Sequence, residues 1–171
     1  PATPGAQIDY PAGARVRPDP ERSGGIEHRV HAWPIASTTH GNTRDLSVVP
    51  SGPVHELYYL DSLEHGWAAL RQPGTLPSVA LAWDLTAHPY SWLWIMRAEP
   101  GFPFYGRGSM IAIEAQTAWP YDGLANARRR GMSHRLRPGE QAESWYTMAL
   151  FDDPPVAVRG IDRDGAIEFA R

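Results

Sequence analysis

The chain has 171 residues, a formal net charge of −3 and no cysteine. This length suits one domain that buries a sizeable core. The mildly acidic balance provides no positive field for nucleic acid or for an anionic membrane surface, and no apolar run approaches the length of a membrane span. We therefore expect no nucleic-acid partner and no membrane partner. Without cysteine the chain has neither disulfides nor thiolate metal sites.

The first residues, 1–5, read Pro-Ala-Thr-Pro-Gly. They include no initiator methionine and none of the basic and apolar regions that make up a signal peptide. Because the chain begins in loop-like sequence, we expect it to be cut from a longer one. The compartment cannot be read from the sequence, and the cytoplasm is the favoured expectation.

Proline and glycine punctuate the chain, with 17 prolines and 16 glycines spread between apolar runs. This spacing predicts many turns and few long helices. In chain order, residues 7–10 and 14–17 are predicted as short extended segments and 18–25 as a polar loop. Residues 31–53 are predicted to be mostly irregular.

Apolar segments in the middle of the chain predict the central strands. Residues 57–60 are expected to pair with 67–70 as a hairpin, through a turn at 64–66. Residues 78–84 and 91–98 form the next two strands. In the latter, both faces are largely apolar: Trp92, Trp94 and Met96 share one face, and Leu93, Ile95 and Arg97 share the other. Such a strand is expected to be buried within stacked sheets.

Strand patterns also dominate the second half of the chain. The predicted elements are, in order, a strand at 110–115, a short helix at 124–130 with Asp122 as its cap and Gly131 as its stop, a strand at 144–151, and a hairpin of 156–159 with 166–170 through the Asp164-Gly165 turn. The predicted fold class is therefore all-β, an antiparallel β-sandwich with one short helix.

One carboxylate, that of Glu114, interrupts the apolar strand at 111–115, which reads Ile-Ala-Ile-Glu-Ala. A carboxylate in such a strand is costly unless it is paired, hydrogen-bonded or directed into a cleft. Loss of solvation also increases the proton affinity of a carboxylate, which suits a general base. The alternative is a strand-end glutamate that points to solvent or pairs with a nearby arginine.

Four short motifs follow one another from Glu114 onward. They are Glu-Ala-Gln at 114–116, Pro-Tyr-Asp at 120–122, Leu-Arg-Pro-Gly-Glu at 136–140 and Trp-Tyr-Thr at 145–147. In this order they resemble the C-terminal signature of the aldose 1-epimerases, members of the galactose mutarotase-like superfamily. There a strand ends in Glu-x-Gln, a Pro-Asp pair follows, and a Leu-x-Pro-Gly-Glu turn introduces the last strand. The chain departs from the signature at Tyr121, which separates the proline from the aspartate, and by extra residues before the turn.

The resemblance implies a sandwich of the galactose mutarotase-like (supersandwich) type, with residues 1–171 as a single domain that lacks its N-terminal part. A sandwich without its early strands is expected to expose unpaired edges and apolar faces, and to associate with the missing part.

The implied activity is that of a cofactor-independent isomerase, which interconverts the anomers of an aldose by ring opening. Glu114 matches the base that removes the proton from the anomeric hydroxyl, while a histidine protonates the ring oxygen in the family. That histidine lies in a His-Pro-x-Phe-like segment which this chain lacks. The pair His88-Pro89 occurs at the wrong place in the order to replace it. The expected ligand is a monosaccharide, and neither a metal nor a cofactor is expected.

Three further side chains are candidate sugar ligands. His55 lies where family members place a sugar-contacting polar group. Asp84 ends a predicted strand beside Trp83, although strand-end aspartates often cap turns instead. Arg97 has a planar fork that suits a hydroxyl or carboxylate ligand, while pairing with Glu99 or Asp84 is the alternative.

Two other functions fit the same sequence. One is carbohydrate binding without catalysis on the same scaffold, which the missing acid favours. The other is a metal-dependent β-sandwich or cupin-like enzyme, in which His28 and His31 have the spacing of metal ligands and His40 or Glu27 is the third ligand. No nucleotide-binding glycine motif and no G-x-S-x-G motif occurs in the chain.

Overall fold

The computed structural model describes residues 3–152 and 156–171. Within them, short strands joined by turns dominate, and one helix, α1, spans Leu124–Arg129. The strands are β1 (Gln7–Asp9), β2 (Arg15–Pro18), β3 (His31–Ala32), β4 (Ile35–Ser37), β5 (Thr43–Asp45), β6 (Val54–Asp61), β7 (Trp67–Arg71), β8 (Ser78–Trp83), β9 (Tyr90–Arg97), β10 (Ser109–Gln116), β11 (Tyr146–Phe151), β12 (Val158–Ile161) and β13 (Ile167–Phe169). No helix in this part of the chain is long and apolar enough to cross a membrane.

Two antiparallel sheets form the body of the fold. The four-stranded sheet has the strand order β1-β7-β8-β11, and the five-stranded sheet has the order β10-β9-β6-β2-β3. They pack face to face, and the hairpin of β12 and β13 packs on the outer face of the four-stranded sheet. The predicted all-β antiparallel sandwich with one short helix is confirmed. Its assignment to the supersandwich type stays a prediction.

Alternate side chains of the central strands build the core between the two sheets. Tyr58 and Leu60 of β6 and Leu93 and Ile95 of β9 are buried there against Trp83 of β8. Burial of each large apolar side chain contributes about 1.5–3 kcal/mol. A smaller core lies between the four-stranded sheet and the hairpin, and consists of Trp67, Ala69, Ala80, Ala82, Val158 and Ile161.

The predicted hairpin between 57–60 and 67–70 is wrong. β6 lies in the five-stranded sheet between β2 and β9, whereas β7 lies in the four-stranded sheet between β1 and β8. Both edges of β6 are therefore already hydrogen-bonded. The connection at 62–66 carries the chain from one sheet to the other, with Ser62 at a φ of 57°.

The segment 31–53 contains more regular structure than predicted. β3 pairs with β2, and β4 pairs with β5 as a small separate hairpin. These strands are two or three residues long. A strand this short leaves no period-2 pattern in the sequence, which explains why the prediction missed it.

Asp122 does not cap helix α1, contrary to the prediction. Gly123 occupies the N-cap position and makes no side-chain cap hydrogen bond. Asp122 instead accepts two hydrogen bonds, each of 2.7 Å, from the guanidinium of Arg130. This pairing lowers the pKa of Asp122 below its ordinary range. Gly131, with a φ of 73°, follows the last turn of the helix, as predicted.

The strands β10 and β11 form the outer edges of the two sheets on one side of the sandwich. On β11, Tyr146, Met148 and Leu150 are more than half exposed, although they point to the side of the sheet that faces the core. The outer edges of β10 and β11 therefore have no strand partner among the described residues. That the domain lacks its N-terminal part stays a prediction.

Candidate functional site

The outer face of the five-stranded sheet carries a groove with a volume of about 380 Å³. Its floor includes Trp92 and Trp94 of β9, which are half-buried. The prediction that β9 is buried on both faces is therefore wrong, because Leu93 and Ile95 face the core while the alternate residues face this groove. The side chains that line the groove are Arg22, His55, Leu57, Trp92, Trp94, Phe104, Glu114 and Tyr121.

The register of the strands sets the neighbours within the groove. Glu114 of β10 lies directly opposite Trp92 of β9, and Leu57 of β6 lies opposite Trp94. His55 lies two residues before Leu57 and therefore shares its face of β6. Since paired residues of adjacent strands point to the same side of a sheet, Glu114 and His55 face the same groove.

The carboxylate of Glu114 is half-buried in the groove. Its Oε2 atom accepts a hydrogen bond of 3.1 Å from Nε2 of Gln116, which lies two residues along the same face of β10. Within the described part of the chain, no arginine, lysine or histidine forms an ion pair with Glu114. The carboxylate is thus available to accept a hydrogen bond or a proton from a ligand.

His55 is held by one carboxylate and two aromatic rings. Its Nδ1 atom lies 3.8 Å from Oε2 of Glu99, and both side chains are about 29% exposed. The imidazole centroid is 5.8 Å from the ring of Trp94 and 6.3 Å from the ring of Phe104. These contacts fix the ring at the end of the groove that is remote from Glu114.

A buried phenol anchors one wall of the groove. The Tyr59 hydroxyl donates a short hydrogen bond to Oδ2 of Asp19 and accepts one of 3.0 Å from the backbone N–H of Tyr121. Burial and the bond to Asp19 together raise the pKa of Tyr59. The ring of Trp92 contacts the rings of Tyr59 and Tyr121, each edge-on at a centroid distance of 5.6 Å. Trp92 also donates from Nε1 to the carbonyl of Ala118 at 2.9 Å.

Arg22 supplies the positive charge of the groove. Its backbone N–H donates to Oδ1 of Asp19 at 3.0 Å, and its carbonyl accepts from the N–H of Leu57 at 3.1 Å, which attaches the loop to β6. Its Nη1 atom lies 3.9 Å from the carboxylates of Asp19 and Glu21, so neither pair is a close one. The guanidinium therefore retains donors for a ligand.

The groove does not include the other two predicted sugar ligands. Asp84 lies at the end of β8 in the other sheet, where its Oδ1 atom accepts hydrogen bonds from the N–H groups of Thr86 and Ala87. This is the turn-capping alternative. Arg97 donates from Nε to the carbonyl of Ser51 at 3.1 Å. The structure thus brings Glu114 and His55 together, while Asp84 and Arg97 are engaged elsewhere.

Arg22, Phe104 and Tyr121 line the groove but were not predicted as site residues. All three lie between regular elements, at 19–30, 98–108 and 117–123, where hydrophobic periodicity carries no information. The Tyr121 position was visible in the sequence as a departure from the family motif, but not as a contact.

One histidine of the predicted metal site is already engaged by the backbone. His31 is buried, its Nε2 atom lies 2.9 Å from the carbonyl of Glu27, and its Nδ1 atom accepts from the N–H of Ser37 at 3.3 Å. Both ring nitrogens thus have backbone partners. Among residues 3–152 and 156–171, no group of three or more His, Cys, Asp or Glu side chains is placed to hold a metal ion.

No protein-family model, curated protein or solved structure matches the chain. The resemblance to the aldose 1-epimerases therefore stays a prediction. The side chains and geometry of the groove are therefore the basis of the proposed function.

Proposed function

We propose that the chain binds an aldose in the Glu114 groove and interconverts its anomers without a cofactor. The observation that carries this proposal is the position of Glu114. It is a half-buried carboxylate without a cationic partner among the described residues, and it lies directly opposite Trp92 in a groove lined with aromatic rings.

The size and composition of the groove support a monosaccharide ligand. A volume of about 380 Å³ lies at the lower end of the range for small-molecule sites, about 300–1,000 Å³. Trp92, Trp94 and Phe104 offer apolar surface to the C–H faces of a sugar ring. Glu114 accepts hydrogen bonds from hydroxyl groups, and Arg22 donates them. Because these two charges are opposite, the groove suits an uncharged ligand.

In the proposed reaction, Glu114 accepts the proton of the anomeric hydroxyl. The bond between the anomeric carbon and the ring oxygen breaks as the anomeric carbonyl forms, and the ring oxygen takes a proton from a general acid. Rotation about the adjacent carbon–carbon bond then presents the other face of the aldehyde. Reversal of the two proton transfers closes the ring to the other anomer and restores both groups, so the reaction as written consumes no co-reactant.

His55 is the proposed general acid. His55 was predicted from the sequence only to contact a sugar, but its imidazole faces the groove that contains Glu114. Strand register places the two Cα atoms about 16 Å apart. Catalysis requires both side chains to lean toward one sugar between them, because the anomeric hydroxyl and the ring oxygen are bonded to the same carbon. Glu99 at 3.8 Å from Nδ1 orients the imidazole for the transfer.

Sugar binding without turnover is the second candidate. The wide spacing of Glu114 and His55 favours it, because a proton donor must come within hydrogen-bond reach of the ring oxygen while the base contacts the neighbouring hydroxyl. In that case both residues contact hydroxyl groups at the two ends of the sugar.

Saturation-transfer NMR of the exchange between the anomers of D-galactose and D-glucose separates the two candidates. Glu114→Gln and His55→Gln are each expected to lower the protein-catalysed exchange rate by about 100-fold or more. Glu143→Gln, a change at an exposed residue that forms no hydrogen bond or ion pair with the described residues, is the matched control. Sugar binding by the wild-type chain without faster exchange would favour the second candidate, and exchange that survives Glu114→Gln would refute the base.

A further inference from the structure

A second, larger cavity lies on the opposite face of the sandwich. It has a volume of about 770 Å³, twice that of the Glu114 groove, and shares no residue with that groove. One wall is formed by the turn at 64–67 together with Trp83 and Trp145. The other wall is the hairpin of β12 and β13.

Three tryptophans line the cavity, and of these Trp145 presents accessible ring surface to it. Trp67 and Trp83 are almost completely buried, while Trp145 is half-buried and accessible from the cavity. Trp83 is fixed by a hydrogen bond of 3.1 Å from Nε1 to the carbonyl of His88. The guanidinium of Arg163 lies 5.4 Å from the ring centroid of Trp145, in the geometry of a cation–π contact. The aromatic wall is therefore built before any ligand arrives.

A glycine holds the turn at 64–67 against this wall. A Cβ atom at Gly66 would lie 2.4 Å from the carbonyl oxygen of Trp83 and 2.9 Å from its Nε1 atom. No other residue type permits so close an approach to backbone. The contact places the exposed side chains of Glu64 and His65 at the rim of the cavity.

Charged side chains of both signs face the cavity without partners. Among the described residues, none forms a hydrogen bond or an ion pair with the side chain of Glu64, Arg159 or Glu168. Arg159 sits at a β-bulge, where the register between β12 and β13 shifts between Val158 and Gly160. A bulge of this kind turns a side chain away from the regular alternation of the strand, and bulges are frequent next to binding sites.

The geometry points to a binding site for a neutral oligosaccharide of two or three sugar units in this cavity. The Trp145 indole receives the C–H face of a sugar ring, Arg159 donates to hydroxyl groups, and Glu64 and Glu168 accept from them. Two arginines and three acidic side chains line the cavity, so its charges nearly cancel, which disfavours both strongly anionic and strongly cationic ligands. The volume exceeds that needed for one ring and falls within the range of small-molecule sites.

This site is independent of the proposed function of the Glu114 groove. The two sites lie on opposite outer faces of the sandwich, so one short glycan does not occupy both. The site on the hairpin side contains no half-buried carboxylate like that of Glu114, and we assign it binding and no catalysis.

Isothermal titration of the 171-residue chain with maltotriose and cellotriose tests the inference, with trigalacturonate and the glucosamine trimer as charged comparators. We expect one of the neutral trisaccharides to bind more tightly than both charged ones. Arg159→Ala and Trp145→Ala are each expected to weaken that binding about tenfold or more, equivalent to about 1.4 kcal/mol. Arg159 is exposed, so its removal leaves the fold intact, and a thermal melt checks the Trp145 variant.

Matched controls separate this site from the Glu114 groove. Arg135→Ala removes an exposed arginine whose side chain forms no hydrogen bond or ion pair within residues 3–152 and 156–171, and Glu114→Gln alters the other site. Both are expected to leave trisaccharide binding unchanged. Failure of both neutral trisaccharides to bind, or preferential binding of a charged one, would overturn the inference. So would binding that is lost in Glu114→Gln but retained in Arg159→Ala.

Discussion

The backbone N–H of Tyr121 donates a hydrogen bond of 3.0 Å to the phenol oxygen of Tyr59, although 62 residues separate them in the chain. The same phenol donates to the carboxylate of Asp19. One hydroxyl group therefore joins a central strand of the five-stranded sheet to two loops that carry groove residues. This hydroxyl group therefore contributes to holding both loops at the groove.

Tyr59→Phe is expected to lower the free energy of unfolding by about 1–3 kcal/mol, because it leaves Oδ2 of the buried Asp19 carboxylate and the N–H of Tyr121 without their partner. Tyr105→Phe, at a residue that is 63% exposed, is the matched control and is expected to change little. Urea unfolding measures both. Equal stability of the two variants would show that the phenol does not hold the loops.

Loss of a buried ion pair elsewhere in the fold is expected to lower the unfolding free energy by a larger amount. Arg44 donates two hydrogen bonds, of 2.7 and 2.6 Å, to the carboxylate of Glu56, whose side chain is only 5% exposed. Arg44→Ala leaves that buried carboxylate without its cationic partner and is expected to lower the unfolding free energy by about 3–5 kcal/mol. Arg29→Ala, which breaks an exposed pair with Glu27, is expected to cost about 1 kcal/mol or less. Similar losses in the two variants would contradict this account.

The strands could be predicted from the sequence more reliably than their partners. The hairpin of β12 and β13 was predicted because a turn at Asp164-Gly165 joins two adjacent strands, and it is confirmed. The hairpin of 57–60 with 67–70 was predicted by the same reasoning and is wrong. Local pattern identifies a strand, but long-range pairing with β2 and β9 decides which sheet it joins.

In the candidate site, too, the residue on a strand was predicted from the sequence, whereas residues on loops were missed. Glu114 was identified because a carboxylate interrupts an apolar strand, and its half-buried position in a groove fits that interpretation. Arg22 and Tyr121 were missed because they lie on loops, and loops are positioned by tertiary contacts such as the bond to Tyr59. Asp84 was predicted as a sugar ligand but lies outside the groove, because this strand-end aspartate caps its own turn.

The ion pair between Asp122 and Arg130, beside helix α1, is expected to make a pH-dependent contribution to stability. Arg130 lowers the pKa of Asp122 in the folded chain. Since the folded-state pKa is below the unfolded value of about 3.9, the pair's contribution to stability is present above that value and is lost as the pH falls through the folded-state pKa.

Arg130→Ala is therefore expected to raise the midpoint of the Asp122 carboxyl titration, measured by NMR. Arg128→Ala removes an exposed arginine of the same helix that makes no ion pair with the described residues, and is expected to leave the midpoint unchanged. An unchanged midpoint in Arg130→Ala would mean that the pair does not form in solution.

Because Gly66 lies close to the backbone of Trp83, a larger residue at this position is expected to destabilise the fold. Gly66→Ala places a methyl group 2.4 Å from a backbone oxygen and is expected to cost about 1–3 kcal/mol in unfolding free energy. At Gly52, by contrast, a Cβ atom meets nothing within 4 Å. Gly52→Ala is expected to change stability by about 0.5 kcal/mol or less. Thermal unfolding that shows no difference between the two variants would exclude the proposed contact.

The most direct test of the central claim, that Glu114 is a base acting on an aldose in the groove, is the anomer-exchange rate of D-galactose in the presence of the wild-type chain and of Glu114→Gln. We expect the wild-type chain to raise the rate above the spontaneous one in proportion to protein concentration. Glu114→Gln is expected to abolish about 99% or more of that increase. A rate increase of equal size in both proteins would contradict the claim.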